Sequence, residues 1–281
     1  MVINLLIVLL ILLVVTVTAA LVYGRVMWEK QANIFRQKLN AGNKRIRSRI
    51  SFEDLSELPN PVQKYFKLVL KDGAPTINKV SISQKGGFRA KPDSKSWSGM
   101  SAVQIVTTDR RGFVWDARIK MATLSTTRVL DSYINGKGRM HGKMLSLFTI
   151  VDQRNRKELD KGALQRFLAE SVWFPTALLP GKGVIWTNID EKTARATISD
   201  SGITVSIDFE FNEKGEITGA FCKGRYREVN GNYRLYPWQG RFSDYIEMEG
   251  YLIPSIAEVE WILEDGPFPY WRAEIVNVAY D

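Results

Sequence analysis

The chain has 281 residues, 45% of them apolar, and its 39 lysines and arginines against 30 aspartates and glutamates give a net charge of +9. One cysteine excludes an internal disulfide, and with a single histidine it cannot supply the three or four ligands of a usual zinc site. The sequence contains no Walker A, Gly-x-Gly-x-x-Gly or Gly-x-Ser-x-Gly motif, so nucleotide binding and serine hydrolysis lack support. We therefore expect no metal and no other cofactor.

The first predicted element is an apolar segment over residues 1–23, which contains no charged side chain. A helix of this length crosses a bilayer core of about 30 Å, so we predict a single transmembrane anchor in the cell membrane. A cleaved secretory signal is the alternative, with Thr18 and Ala20 as small residues at the cleavage site. That alternative needs basic residues before the apolar run, and this sequence has none there.

Residues 24–50 follow as a basic juxtamembrane helix. The basic side chains are Arg25, Lys30, Arg36, Lys38, Lys44, Arg45, Arg47 and Arg49, against the single acid Glu29. By the positive-inside rule this asymmetry places the following domain in the cytoplasm, an extracytoplasmic domain being the alternative. Trp28, Phe35 and Leu39 predict the apolar edge of a helix in the membrane interface, or else of a solvated spacer.

The charge outside this stretch is nearly balanced, with 31 basic and 29 acidic residues. A basic segment beside a membrane helix is explained by anionic lipid headgroups better than by DNA phosphates. We therefore expect the lipid bilayer as a partner and no nucleic acid.

Residues 51–281 show no composition break and are predicted to form a single domain. A capping-box pattern at 51–54 predicts a first short helical piece, and Pro61 fits the first turn of a second helix over 62–71. Beyond residue 77 the apolar period becomes two, most clearly at 203–211, 113–121 and 257–263, which indicates strands with one wet face. Further strands are predicted near 78–89, 97–107, 126–134, 137–149, 183–189, 193–199, 233–249 and 270–279, and one more runs through Tyr226.

One helix, over 160–171, interrupts the strands, with Asp160 as its expected cap and Pro175 beyond its end. A single helix among about eleven antiparallel strands favours an α+β, mostly β fold, in which helices pack on the concave side of a strongly curved sheet or half-barrel. The whole is preceded by one transmembrane helix.

Several motifs resemble an uncharacterised bacterial family of N-terminally membrane-anchored proteins. They are LPNPVQKY at 58–65, GFVWDA at 112–117 and RFLAESVWFPTALL at 166–179, with GFR at 87–89, Trp97, Gln104, Trp186 and PWQG at 237–240. The resemblance extends over residues 50–281 and implies no activity. In architecture alone, the predicted fold is similar to the half-barrels of lipoprotein-carrier and lipoprotein-insertion proteins, whose concave sheets hold acyl chains. Those carriers work outside the cytoplasm, against the orientation that the charges favour.

Aromatic side chains supply the candidate ligand-binding residues. Trp173 and Phe174 lie where the inserted helix returns to the sheet, and the predicted set is Trp115, Arg118, Phe167, Trp173, Phe174 and Trp186. Arg118 shares a strand face with Asp116, so the two side chains can fix a ligand headgroup at the mouth of an apolar cavity. Ordinary core packing and a surface ion pair are the competing explanations.

Asp116 and Glu170 are the candidate catalytic residues, since a carboxylate beside an aromatic cluster can act as an acid or base. His141 and Cys222 are weaker candidates, with strand and core roles as alternatives.

We favour a membrane-anchored module that binds a lipid or other apolar ligand near the bilayer surface. The alternatives are a carboxylate-dependent enzyme acting on a membrane-derived substrate and a scaffold for a protein partner. The enzyme requires two acids in one cleft, and the scaffold requires an exposed apolar patch of roughly several hundred Å².

Overall fold

The computed structural model describes residues 1–43, 48–94, 96–122 and 125–281, so the basic residues Lys44, Arg45 and Arg47 lie outside the described residues. The helices are α1 (Val2–Asn40), α2 (Asn60–Val69) and α3 (Lys157–Glu170), with short 3₁₀ turns at Glu53–Leu55, Ser171–Trp173, Pro175–Leu178 and Pro180–Lys182. The strands are β1 (Lys79–Phe88), β2 (Ser98–Thr107), β3 (Gly112–Ala122), β4 (Ser125–Ile134), β5 (Lys137–Met144), β6 (Phe148–Arg154), β7 (Val184–Asn188), β8 (Thr193–Asp200), β9 (Ile203–Phe211), β10 (Ile217–Val229), β11 (Asn232–Met248), β12 (Tyr251–Leu263) and β13 (Gly266–Tyr280).

Within the described parts of the chain, all thirteen strands form one antiparallel sheet, in the order β6-β5-β4-β3-β2-β1-β13-β12-β11-β10-β9-β8-β7. Strands that follow one another in the chain are neighbours, except β6 and β7, and β1 also pairs with β13. The two edges are therefore β6 and β7, and α3 lies in the connection between them.

The sheet is strongly curved around α3. This helix contacts β4 and β5 near one edge of the sheet and β9 and β10 near the other. At β5 the approach is so close that a Cβ on Gly138 would lie 2.7 Å from the carbonyl oxygen of Leu159. The two halves of the sheet also meet directly, since the Tyr133 hydroxyl donates to Asp200 Oδ2 at 2.6 Å. The predicted curved antiparallel sheet with helices on its concave side is confirmed.

Two local predictions need correction. The strand predicted over 137–149 is two strands, because Leu145 and Ser146 take positive φ angles of 56° and 61° and turn the chain. The predicted cap of the inserted helix is also wrong, since α3 begins at Lys157. Asp160 instead accepts hydrogen bonds from the Gly138 amide at 2.8 Å and from Lys137 Nζ at 3.0 Å. It therefore joins α3 to β5.

The main core lies between the concave face and the helices. Its largest fully buried side chains include Tyr65 and Phe66 of α2, Phe167 of α3, and Trp173 and Phe174 just beyond it. Alternation along β3 directs Phe113, Trp115, Ala117 and Ile119 into this core. The two-residue period of the sequence is thus the period of burial.

Helix α1 is continuous from the apolar segment into the basic one. It is long and apolar enough to cross a membrane by length and composition, and its most apolar window is not buried in the structure. Its second half packs on the convex face of the sheet, where Trp28, Phe35 and Leu39 are buried against Val114 and Leu130. Protein therefore covers the apolar edge that we predicted to face the membrane interface or solvent.

The boundary of this helix also differs from the prediction. We expected a juxtamembrane helix over 24–50, but α1 ends at Asn40. Arg49 forms an isolated β-bridge with Pro75. The docked half of α1 and the sheet form one packed unit.

Candidate functional site

The sheet divides the six predicted ligand-binding side chains between its two faces. Trp115, Phe167, Trp173 and Phe174 are buried on the concave side, Trp186 is half-buried against Phe66, and Arg118 is exposed on the convex side. Phe167 and Phe174 lie 5.5 Å apart between ring centroids. Two open hollows of ≈ 630 and ≈ 650 Å³ border α1 and contain none of these six side chains.

The concave centre is filled by the protein's own rings. Trp173 is 1% exposed, its Nε1 donates to the Pro254 carbonyl at 3.1 Å, and its ring meets Phe242 edge-on at 6.2 Å and Trp271 at 6.3 Å. A ligand that enters this space must therefore displace the segment that follows α3.

A buried ion triad lies beside these rings. Arg166 of α3 contacts Asp131 of β4 and Glu170 at 2.7 Å each. Its guanidinium also lies over the rings of Phe113 at 4.9 Å and Trp115 at 5.0 Å. Burial raises the pKa of Asp131, and the charge and hydrogen bond of Arg166 oppose that rise. The triad is well paired, as buried charges must be.

A chain of amides extends the triad into the sheet. Gln104 Nε2 donates to Glu170 Oε2 at 2.6 Å, Gln84 Nε2 donates to Gln104 Oε1 at 3.3 Å, and Trp115 Nε1 donates to Gln84 Oε1 at 2.8 Å. These polar groups satisfy one another, so the network fixes α3 on β1–β4.

Asp116, the other candidate acid, lies on the opposite face of the sheet. Its carboxylate accepts from Trp28 Nε1 at 3.1 Å, from Arg36 at 3.0 Å and from Arg128 at 2.9 Å. The sheet separates Asp116 from Glu170, so the two carboxylates cannot act on one substrate. Asp116 instead clamps α1 to β3 and β4.

His141 and Cys222 are buried and take part in packing. The His141 ring stacks on Trp28 with centroids 5.8 Å apart. Among the described residues neither ring nitrogen has a hydrogen-bond partner within 3.5 Å, and Asp152 Oδ1 lies 3.6 Å from Nδ1. Burial lowers the pKa of His141. Burial likewise raises the pKa of the Cys222 thiol, which accepts from Gln165 at 2.9 Å. In the described ranges no group of three histidine, cysteine or acidic side chains is placed to hold a metal ion.

The docking of α1 is expected to weaken in mild acid. Since the pKa of His141 is lowered on folding from 6.5, its contribution to stability is present above about pH 6.5 and is lost as the pH falls below that value. Asp152 faces the ring and opposes this change, whereas Arg139 and Lys143 reinforce it.

Urea unfolding of the full chain in detergent, between about pH 7.5 and about pH 5, measures this effect. The free energy of unfolding of the native chain is expected to fall relative to that of H141F, which retains a ring on Trp28. If the free energy of unfolding changed with pH equally in the two proteins, His141 would not be the group responsible.

A second group of side chains, the arginine–aromatic cluster, lies at one end of the sheet, with Arg225 on the concave side and Arg272 beside Trp97 on the convex side. Its members are Arg89, Arg225, Arg227, Arg272, Trp97, Tyr236, Trp238, Trp261, Phe268 and Tyr270. Arg225 is its inner member, 5.0 Å from the Trp238 ring and 5.4 Å from that of Trp261. It donates to the Tyr270 hydroxyl at 3.2 Å and to the Gly162 carbonyl of α3 at 3.3 Å.

The outer part of the cluster wraps around the end of the sheet. Arg89 lies 5.3 Å from the Trp97 ring and 5.5 Å from that of Phe268. Arg227 is 5.8 Å from Phe268, and Arg272 is 4.4 Å from Trp97. The four guanidiniums are thus held against flat apolar surfaces.

These four arginines differ in their partners from the arginines that form ion pairs. Arg166, Arg195 and Arg241 each meet a carboxylate within 4.0 Å, whereas none of the four cluster arginines does so within the described residues. The cluster therefore holds four guanidiniums beside apolar rings, with no carboxylate in direct contact among the described residues.

The cluster lies at the same end of the strands as the point where α1 leaves the domain. Gly24 of α1 packs on Leu147 in the β5–β6 turn. Every second turn of an antiparallel meander lies at the same end of the strands, so the β1–β2 turn at 89–97 lies at the same end as the β5–β6 turn. The pairing of Phe88 with Trp271 brings the β12–β13 turn to that end too. The apolar half of α1 and the cluster therefore project from one end.

Sequence reasoning missed the cluster. The local signals are the two-residue spacing of Arg225 and Arg227, which puts both guanidiniums on one face of β10, and the presence of Arg89 and Trp97 among the motif residues. Trp238 lies within the PWQG motif, but nothing nearby connects it with Arg89 or Arg272.

A comparison with protein families matches residues 56–280 to DUF6920, a family of unknown function. The chain belongs to this family. The DUF6920 match confirms that the motifs at 58–65, 112–117 and 166–179 mark an uncharacterised family. It includes all ten residues of the cluster and begins after α1, before α2.

Solved structures similar to this DUF6920 chain are β-rich. A LolA superfamily protein from Nitrosomonas europaea is 11% identical, with a TM-score of 0.38 over 79% of this chain and 92% of that one. A β-barrel-like protein of the domain of unknown function DUF1849 from Brucella abortus is 10% identical, with a TM-score of 0.26 over 73% of this chain and 98% of that one. A search of the curated proteins found no match. These likenesses concern sheet architecture alone.

Proposed function

We propose that this protein is a membrane-anchored module that binds a lipid through an anionic headgroup at the arginine–aromatic cluster. The observation that carries this proposal is the set of four guanidiniums, stacked on aromatic rings and without a carboxylate partner in the described chain. The guanidinium of arginine holds its N–H donors in a planar fork that matches the oxygens of a phosphate or carboxylate. Such charge-assisted hydrogen bonds are about twice as strong as neutral ones.

The rings of the cluster supply the second half of the site. Trp238, Trp261 and Phe268 lie beside the guanidiniums and offer apolar surface to the glycerol and first acyl carbons of a lipid. Trp115, Phe167 and Trp186 extend this apolar surface inward, where an acyl chain would take the place of Trp173 and Phe174 in the segment that follows α3. Arg118 is not a member of the cluster and takes no part.

The anchor places the site next to its ligand. Residues 2–22 of α1 are almost all exposed, and in water such a surface is unfavourable by roughly 25 cal/mol per Å². A bilayer removes that cost. The basic residues at 25–49 favour the cytoplasmic side for the domain.

Native mass spectrometry of the full chain, released from mild detergent, tests the proposal. Phosphatidylglycerol is expected to bind more tightly than phosphatidylcholine. The variant R225Q/R227Q is expected to lose about tenfold or more in affinity for phosphatidylglycerol, since each lost charge-assisted hydrogen bond is worth about 1.5–3 kcal/mol.

The matched control is R154Q/R195Q, which removes the same charge from two exposed arginines outside the cluster. It should bind phosphatidylglycerol as the native chain does. Equal loss in both variants, or equal binding of the two lipids, would contradict the proposal.

A further inference from the structure

Four large apolar side chains are exposed close to where α1 leaves the domain. Met121 at the end of β3, Met144 at the end of β5, and Phe148 and Ile150 on β6 are between 39 and 59% exposed. We call these four residues the rim patch. Phe148 is paired with Met144 in the β5–β6 hairpin, so the patch is a contiguous surface there.

The rim patch adjoins the apolar half of α1. The β5–β6 turn, which joins Met144 to Phe148, packs on Gly24, where a Cβ would lie 2.8 Å from Leu147 Cδ2. Gly24 is the first residue of α1 that the domain buries, directly after the exposed apolar residues. The apolar surface of the span therefore continues onto the rim of the sheet.

We propose that the rim patch inserts into the bilayer interface beside α1, as a second membrane contact of the domain. This inference rests on the membrane anchoring in the proposed function. Because α1 is clamped to β3 and β4 through Asp116, a bilayer that surrounds the span also meets the turn packed on Gly24. Methionine, phenylalanine and isoleucine are side chains that enter an interface favourably.

The patch lies on an edge strand, and a protein strand is the competing occupant of such an edge. Continuity with the span favours lipid, because an added strand along β6 would not also cover Met121 of β3. The predicted consequence is a fixed orientation of the domain, with the arginine–aromatic cluster held at the headgroup level.

Fluorescence quenching by brominated lipids tests the inference on the full chain in phosphatidylcholine–phosphatidylglycerol vesicles. In a C222A background, F148C is labelled with an environment-sensitive dye. The control is I185C, which is 67% exposed on β7, the opposite edge of the sheet. Brominated acyl chains are expected to quench the dye at 148 at least about twofold more than at 185, because the patch is immersed and the control is not.

Equal quenching at 148 and 185, or none at 148, would overturn the inference. So would energy transfer between labelled copies that rises with protein concentration while bromine has no effect, since that result indicates a protein partner. I150C repeats the measurement at a second patch position. Phosphatidylglycerol selectivity that persists without quenching would overturn this inference alone, whereas lost selectivity with quenching intact would overturn only the proposed ligand site.

Discussion

Replacing Asp116 with alanine is expected to release the docked half of α1 from the sheet. Trp28, Arg36 and Arg128 all donate to this carboxylate. Its removal leaves the Trp28 indole without its acceptor and the two cations with Glu29 as their remaining partner. Loss of these hydrogen bonds to a charged group is expected to cost about 1.5–3 kcal/mol of unfolding free energy. Urea unfolding of the full chain in detergent, with hydrogen exchange of residues 24–40, measures both consequences.

The matched control is D208A, which breaks an ion pair of similar geometry on the surface. Arg195 contacts Asp208 at 2.6 and 2.8 Å, but its side chain is half exposed, so the expected loss is under about 1 kcal/mol. If D116A cost no more than D208A and left residues 24–40 protected from exchange, the clamp would be disproved.

Replacing Arg166 with leucine is expected to have a larger effect on the concave side. The substitution leaves Asp131 and Glu170 buried without a cation, which costs about 3–5 kcal/mol. Because burial alone already raises the pKa of Asp131, R166L should raise this pKa further. The stability of R166L should therefore recover as the pH is lowered toward the folded pKa of Asp131, whereas the native chain should recover less.

The compensating variant R166L/D131N/E170Q separates charge from packing. Neutral groups of similar shape can replace a buried ion network with little loss, so the triple variant should regain most of the stability that R166L loses. Urea midpoints and slopes provide the measurement. A triple variant as unstable as R166L would show that the aliphatic stem and ring contacts of Arg166, not its charge, hold α3.

The strands were predictable because their signal is local. Along β9 and β3 every second side chain is buried, and that alternation is visible in any window of a few residues. The β5–β6 turn was not predictable from sequence. Its positive φ angles fall on Leu145 and Ser146, whereas turns with positive φ are usually marked by glycine or asparagine. Asp160 looked like a cap only because its partners, Lys137 and the Gly138 amide, lie on a distant strand.

The site was predictable only in part, for the same reason. Trp115, Phe167, Trp173 and Phe174 are buried in the core on the concave side, and their role in ligand binding stays a prediction. The role of Asp116 depends on Trp28 and Arg36, which lie about 80 residues earlier in the chain. No local sequence pattern predicts that α1 docks there.

The arginine–aromatic cluster depends on contacts over still longer distances. Arg89 and Arg272 meet the same Trp97 ring because β1 pairs with β13. That pairing joins the two ends of the domain, and the order of strands along the chain does not reveal it.

The central claim, a lipid held at the arginine–aromatic cluster, is tested most directly by the lipid content of the purified protein. The full chain is extracted from membranes in mild detergent, and its bound lipids are quantified by mass spectrometry beside those of R225Q/R227Q and R154Q/R195Q. The account predicts an equimolar anionic lipid in the native chain and in R154Q/R195Q, and little in R225Q/R227Q. A native chain that carries no more anionic lipid than R225Q/R227Q would contradict it.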